Sequence, residues 1–175
     1  SRQQLGVKNV SLYALGLDSL VNIEAGTFDY IIINGIFSLL PETERAVLLA
    51  FASRSLTPNG IVAMRWNSLP GSRDAKSIQD AIALHTADAT DDEMTLNSAR
   101  AMIIYLEMAQ QPGRIINSVL SSAAASSDNE FLLRYLHNFN DAVYLADFNQ
   151  MLVESVFQYV GDIFPQSECA SYYGE

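Results

Sequence analysis

The feature that most constrains the fold is the near-continuous apolar run Phe28–Asn34, FDYIIIN. A run of this length, rich in β-branched residues, is typical of a strand buried on both faces of a parallel sheet. Parallel strands need a crossover, and Pro41 followed by Glu42 and Glu44 indicates the start of a crossover helix. Residues 60–66, GIVAMRW, then predict the next strand.

The predicted crossover helix has one apolar stripe at helical spacing, made of Val47, Leu48, Phe51, Ala52 and Leu56. The turn residues 57–60, TPNG, should end it. Residues 9–15, NVSLYAL, predict a further strand ahead of Phe28. Strand, helix and strand with short joints imply a right-handed parallel crossover, and hence an α/β fold with part of a doubly wound sheet.

The pattern changes at the turn 68–72, SLPGS, after which helical periodicity dominates. Two capping boxes, Thr90 to Glu93 and Ser127 to Glu130, predict helix starts. The apolar patterns predict helices over 73–87, after Thr90 to about Ala109, around 115–120, after Ser127 and over 147–157, and a short strand over 157–164. We therefore predict a boundary near Pro70, with a sheet domain over 1–70 and a helical domain over 71–175.

Charge and cysteine content restrict the partners. The formal charge of −10 disfavours nucleic acid and anionic membrane surfaces as main partners. One cysteine, Cys169, excludes an intrachain disulfide and any multi-cysteine metal site. His85 and His137 lack acidic partners at metal-ligand spacing. No apolar run is long enough to span a membrane and no charged-then-apolar segment opens the sequence, so we expect a cytoplasmic protein without membrane insertion.

Residues 28–71 carry a resemblance to class I S-adenosylmethionine-dependent methyltransferases. Their FDYII, PNG and NSLPG motifs occur in the order of the fourth strand, following helix and fifth strand of that fold. They resemble a bacterial subgroup in which a predicted regulatory helical domain follows the catalytic domain, including protein-lysine methyltransferases. The segments 140–148 and 159–162 are similar to later motifs of the same subgroup.

The resemblance implies the site residues. The cofactor would contact the segment after the strand over 9–15, namely Leu15, Gly16, Leu17 and Asp18, and would also contact Asn34. Asn34, Gly35 and Phe37 would lie at the sulfonium and the catalytic centre, and Trp66 and Asn67 would contact the substrate. For each of these residues a purely structural role, as a strand end, turn or packing residue, is the alternative.

The glycine-rich turn that grips the cofactor in this fold is missing from the sequence. Such turns let backbone N–H groups approach a ligand closely, and none of the nine glycines forms a G-x-G pair. We therefore expect a methyltransferase fragment that is inactive alone and binds S-adenosylmethionine only with further N-terminal polypeptide. Its partner would be a protein substrate, and unpaired strand edges would favour self-association. The alternative is a non-catalytic helical interaction module with a vestigial sheet edge.

Overall fold

The computed structural model describes residues 8–23, 26–109, 115–137 and 139–164. The main elements, in chain order, are β1 Phe28–Asn34, α1 Glu42–Ser55, β2 Leu56–Arg65, β3 Ser68–Leu69, α2 Arg73–His85, α3 Asp92–Ala109, α4 Ile115–Ala125, α5 Asp128–Phe131, β4 Val143–Tyr144 and α6 Leu145–Glu154. Short 3-10 helices occupy Leu17–Asn22 and Phe37–Leu39, and a π-helical turn, Leu132–Leu136, continues α5. The predicted mixed α/β fold is confirmed.

The strands β1 and β2 pair in parallel, as the sequence predicts. The register matches Tyr30 with Ile61 and ends with Asn34 opposite Arg65. The predicted burial of β1 on both faces is wrong, because Ile33 is only 5% exposed whereas Ile32 is 77% exposed. Among the described residues β1 pairs only with β2, so its other edge is unpaired.

Helix α1 begins directly after Pro41, with Glu42 and Glu44 in its first turn. Leu48 and Ala52, from the predicted stripe, are buried. The chain enters β2 at Leu56 without a loop, so this strand begins earlier than predicted. At Gly60 an added Cβ would lie 2.6 Å from the Leu56 side chain and 3.1 Å from the Asp29 carbonyl oxygen, so a larger residue there would force Leu56 and β1 to shift.

Two predicted strands are wrong. Residues 9–15 have no regular structure and are exposed, and residues 157–164 are likewise irregular. A strand is stable only when its backbone N–H and C=O groups pair with a neighbour. In the described part of the chain neither segment belongs to a sheet, since β1 pairs with β2 and β3 pairs with β4.

The helices α2 to α5 enclose one apolar cluster. Ile78, Ile82, Ile103, Leu120 and Phe131 are almost completely buried in it. Leu84 of α2, by contrast, is 82% exposed, and Ala109 is exposed at the end of α3. Residues 110–114, which follow α3, lie outside the described residues.

Helix α3 is capped one residue later than predicted. The carboxylate of Asp91 accepts a hydrogen bond from the Met94 N–H at 2.7 Å, whereas the Thr90 hydroxyl contacts only the Met94 sulfur at 3.9 Å. The cap at Ser127 is confirmed, since its hydroxyl accepts from the Glu130 N–H at 3.4 Å. In both helices the side-chain oxygen pairs with an N–H of the first turn that has no partner within the helix.

A second apolar cluster joins the sheet to α6. Phe148 of α6 packs with Ile33, Phe37, Leu48 and Leu49. Helix α6 thus contacts the strands although most of the helical half separates them in sequence. The boundary at Pro70 and the division into domains 1–70 and 71–175 stay predictions. No helix in the described part of the chain is long and apolar enough to cross a membrane.

Candidate functional site

An open cleft of about 520 Å³ lies at the carboxyl ends of β1 and β2. Asn34 and Gly35 line it from β1, and Arg65, Trp66 and Asn67 line it from β2. The opposite wall comes from α2, α4 and the π-helical turn, and Asn140 and Ala142 close one side. The structure therefore brings together four residues predicted for the catalytic and substrate sites: Asn34, Gly35, Trp66 and Asn67.

Gly35 turns the chain where β1 reaches the cleft. Its φ is +77°, a conformation that glycine adopts without a Cβ penalty. Its N–H donates to the Arg65 carbonyl oxygen at 3.2 Å and continues the pairing of the strands by one bond. No atom lies within 4 Å of the position that a Cβ would take, so this corner of the cleft is open space.

Aromatic packing places the Trp66 side chain. Its indole stacks on Phe148 with ring centroids 4.3 Å apart and an interplanar angle of 21°. Phe37 meets the same Phe148 ring edge-on, at 5.5 Å. Phe37 is 1% exposed and does not line the cleft, so the structure puts it in the core beneath the site rather than at the reacting atoms.

A polar network fastens the strand ends to the segment that follows the π-helical turn. The Asn67 N–H donates to the Ser38 hydroxyl at 2.8 Å, and the Asn67 side-chain amide donates to the Asn140 side-chain oxygen at 2.7 Å. The Val143 N–H donates to the Asn67 carbonyl oxygen at 3.2 Å, next to the two-residue parallel pairing of β3 with β4. These bonds hold Asn67 in place and occupy part of the amide that was predicted to bind substrate.

Arg45 of α1 anchors this network from below. It is 7% exposed, and its guanidinium donates to the carbonyl oxygens of Phe37 at 3.0 Å and Ser38 at 3.4 Å. It also pairs with the Asp141 carboxylate at 3.1 Å, and the Asp141 N–H donates to the Ser38 carbonyl oxygen. A buried charge is tolerated when it is paired and hydrogen-bonded, as the Arg45 guanidinium is through Nε and Nη2.

The helical wall contributes polar and charged groups. The Gln79 amide donates to the Arg134 carbonyl oxygen at 2.7 Å, which fixes α2 against the π-helical turn. Tyr135 lines the cleft and is 7% exposed. Burial raises the pKa of the Tyr135 phenol; Arg134 opposes this shift and Glu130 adds to it. The phenol therefore stays neutral and able to donate a hydrogen bond.

The predicted cofactor segment lies elsewhere. Leu15, Gly16, Leu17 and Asp18 do not line the cleft, and Leu17 packs against the sheet-side core. Since the sequence also lacks a glycine pair, the described residues form no cradle for S-adenosylmethionine, and this cofactor does not fit the described part of the chain alone. Nor does this part contain a cluster of three or more His, Cys, Asp or Glu residues suited to a metal ion.

Sequence patterns missed the helical wall of the cleft, above all Lys76, Gln79 and Arg134. Lys76 and Gln79 lie in the amphipathic helix α2, and Arg134 lies in the π-helical turn. Only the packing of α2 against the π-helical turn brings them opposite the strand ends. The one available signal was the basic character of Lys76 and Arg134 in a chain with twice as many acids as bases.

Two solved structures share this fold. PKMT2 from Rickettsia typhi in complex with AdoHcy matches with a TM-score of 0.74 and 23% identity, over 92% of this chain and 32% of that chain. PKMT2 from Rickettsia typhi, in a second structure, matches with a TM-score of 0.72 and 23% identity, over 92% of this chain and 31% of that chain. No protein-family model matches the chain.

The curated relatives are uncharacterised proteins. RP789 of Rickettsia prowazekii (strain Madrid E) is 24% identical over 90% of this chain and 29% of its own length. RP028 of the same organism is 24% identical over 87% of this chain and 62% of its own length. The protein sll1526 of Synechocystis sp. (strain ATCC 27184 / PCC 6803 / Kazusa) is 28% identical over 42% of this chain and 15% of its own length. The chain thus spans less than two thirds of these relatives, and it has the mixed α/β fold of the corresponding third of PKMT2.

Proposed function

We propose that this chain is the acceptor-binding part of an S-adenosylmethionine-dependent methyltransferase that acts on protein lysine. The observation that carries the proposal is the cleft at the carboxyl ends of β1 and β2, lined by Asn34 and Gly35. In open α/β sheets, ligands bind beyond the carboxyl ends of the strands. The cleft has room for a lysine side chain beside the strand ends.

The likeness to PKMT2 supports the choice of reaction. That protein, a protein lysine methyltransferase, was solved with AdoHcy, the product that S-adenosylmethionine leaves after methyl transfer. The shared fold covers nearly all of this chain. Because the described residues form no cofactor cradle, we assign cofactor binding to polypeptide of the full-length protein beyond this chain.

The cleft residues have distinct roles under this proposal. The side-chain oxygen of Asn34 accepts a hydrogen bond from the lysine amine and orients its lone pair, since positioning accounts for much of the rate of a displacement reaction. Gly35 leaves open space for the amine, because no atom lies within 4 Å of its Cβ position. Trp66, held by Phe148, walls the aliphatic stem of the lysine.

The first test is calorimetric titration of the full-length protein with S-adenosylmethionine. Candidate protein substrates are then incubated with the full-length protein and the cofactor and analysed by mass spectrometry. We expect binding and a mass gain on lysine. Absence of binding at millimolar cofactor would overturn the proposal.

The second test is the Asn34→Ala variant. Asn34 is exposed at the strand end, so we expect kcat/KM to fall about tenfold to a hundredfold with little loss of stability. Asn129→Ala is the matched control, because Asn129 is exposed on α5 and does not line the cleft. Equal activity of the two variants would remove Asn34 from the catalytic centre.

The competing function is a non-catalytic interaction module. The observation in its favour is that Leu15, Gly16, Leu17 and Asp18 stay away from the cleft while the chain lacks a glycine pair. A module of this kind would bind a protein partner in the cleft and would not bind S-adenosylmethionine. The same calorimetric titration therefore separates the two functions.

A further inference from the structure

The charge of the cleft is opposite to that of the chain. The sequence contains 20 acidic and 10 basic residues. The residues that line the cleft include Arg65, Lys76 and Arg134 but no Asp or Glu. A concave surface of one sign concentrates the field of its charges and attracts ligands of the other sign. The cleft therefore favours an anionic ligand although the remaining surface is acidic.

Two of these cations, Lys76 and Arg134, form weak ion pairs with residues that do not line the cleft. Lys76 pairs with Asp80 at 3.4 Å and Arg134 with Glu130 at 3.0 Å, each one helical turn away. Both pairs are about half exposed, and exposed pairs of this kind contribute little free energy. A carboxylate entering the cleft can therefore interact with either cation without breaking a strong bond.

The third cation, Arg65, lies beside the proposed acceptor position. It is opposite Asn34 in the register of β1 and β2, and its carbonyl oxygen accepts the Gly35 N–H. Within the described ranges its guanidinium has no ion pair. A positive charge on this strand end disfavours a lone lysine ammonium at Asn34 and favours a ligand that also brings negative charge to Arg65.

We propose that the cleft binds an acidic peptide segment, so that the acceptor lysine is flanked by Asp or Glu residues. This inference rests on the proposed function and specifies its substrate. Arg65 would hold the carboxylate nearest the lysine, and Lys76 and Arg134 would hold carboxylates on the helical side. The negative charge outside the cleft disfavours an extended polyanion, because only a short segment avoids the acidic surface.

The test measures binding separately from methyl transfer. Two fluorescent peptides each contain one lysine, which is flanked by Glu residues in the Glu peptide and by Gln residues in the Gln peptide. Each peptide is titrated with the full-length protein in the absence of cofactor, and fluorescence anisotropy measures binding. We expect the Glu peptide to bind about tenfold more tightly, and the difference to shrink when salt rises from about 0.05 M to about 0.5 M. Equal binding of the two peptides, or binding of neither, overturns the inference.

Variants locate the effect. Arg65→Gln, Lys76→Gln and Arg134→Gln should each weaken binding of the Glu peptide by about threefold to tenfold and leave the Gln peptide unchanged. Arg73→Gln is the matched control, because Arg73 is exposed and does not line the cleft. A loss in Arg73→Gln equal to that in the cleft variants would contradict the inference, since the effect would then follow total charge. Thermal midpoints of all four variants show that the comparison is between folded proteins.

Two further outcomes distinguish the possible failures. If free glutamate or inorganic phosphate displaces the Glu peptide at concentrations similar to the peptide's own, the site takes a small anion and the inference is wrong. If the Glu peptide binds as expected but no lysine is methylated in the presence of S-adenosylmethionine, the proposed function fails while the acidic-peptide surface stands.

Discussion

Gly35 and Arg45 determine, from opposite sides, the shape of the segment between β1 and α1. Gly35 sets the direction in which the chain leaves β1, through a backbone conformation at φ +77°. Arg45 holds the carbonyl oxygens of Phe37 and Ser38 from the first turns of α1. A short connection fixed at both ends keeps Asn34 at the mouth of the cleft.

Replacing Gly35 by alanine tests the conformational requirement. Because no atom lies within 4 Å of the new Cβ, the whole effect should come from the backbone, about 1 kcal/mol lost from the free energy of unfolding. Gly71→Ala is the control, since its new Cβ would have only an ordinary contact at 3.7 Å. Urea denaturation measures both variants, and equal stability of Gly35→Ala and wild type would contradict the prediction.

Replacing Arg45 by methionine tests the anchor. The variant keeps about the same side-chain volume but removes one of the two donors to each of the Phe37 and Ser38 carbonyl oxygens, so we expect a loss of about 1.5–3 kcal/mol. Asp141→Asn should lose only about 0.2–1 kcal/mol, because the Asp141 side chain is 57% exposed. Denaturant titrations of the two variants give the comparison, and a larger loss in Asp141→Asn would show that the ion pair, rather than the carbonyl contacts, is the stronger part.

Residues of the strand ends could be predicted to share a site, because parallel strands finish at the same sheet edge. Asn34, Gly35, Trp66 and Asn67 were predicted from the family resemblance, and the structure places them at such strand ends. The position of Phe37 could not be predicted from the sequence, because a residue three places after a strand end can point to the cleft or to the core. Contacts such as Arg45 with Asp141, 96 residues apart, have no sequence signal at all.

At the scale of the elements, two neighbouring residues, Thr90 and Asp91, are candidates for the N-cap of α3, and variants can distinguish them. Asp91→Ala should cost about 1 kcal/mol, because it removes the acceptor of the Met94 N–H. Thr90→Ala should change stability by less than about 0.5 kcal/mol, since its hydroxyl contacts only a sulfur. Thermal unfolding of both variants measures the difference. A larger loss of stability in Thr90→Ala than in Asp91→Ala would show that Thr90 is the cap.

The elements that were predicted correctly depend on local sequence. β1, α1 and β2 have strong apolar patterns with turn residues between them, and each of the described helices from α2 to α6 has a periodic apolar face or a cap. The segments 9–15 and 157–164 have similar β-forming residues but no partner strand among the described residues. Strand formation depends on distant partners, so residue composition alone could not decide these two cases.

At the scale of the whole molecule, one sheet face is apolar and uncovered. Tyr30 and Ile32 of β1 and Ile61 of β2 are each more than half exposed, and β1 pairs on one side only among the described residues. Exposed apolar surface and unpaired strand edges favour association between chains.

We therefore expect the 175-residue chain to self-associate, which light scattering at increasing concentration measures. Ile32→Lys should shift the chain toward monomer, because a charge on the strand opposes both apolar contact and edge pairing. Leu84→Lys is the matched control, since Leu84 is 82% exposed on α2, away from the sheet. A wild-type chain that remains monomeric at every concentration, or an equal shift by both variants, would contradict the expectation.

The bonds between Asn67 and the segment around Asn140 have a consequence for exchanging parts between relatives. Helix α6 and β4 contact the strands through Phe148 and Val143, although more than 70 residues of helical sequence intervene. A chimaera cut at the Pro70 turn would separate Trp66 from the ring on which it stacks. Recombination that keeps this ring stack and the Asn67 bonds must inherit two non-adjacent blocks together, the strands and the last helix, and replacing the stretch between them exchanges the helical wall of the cleft.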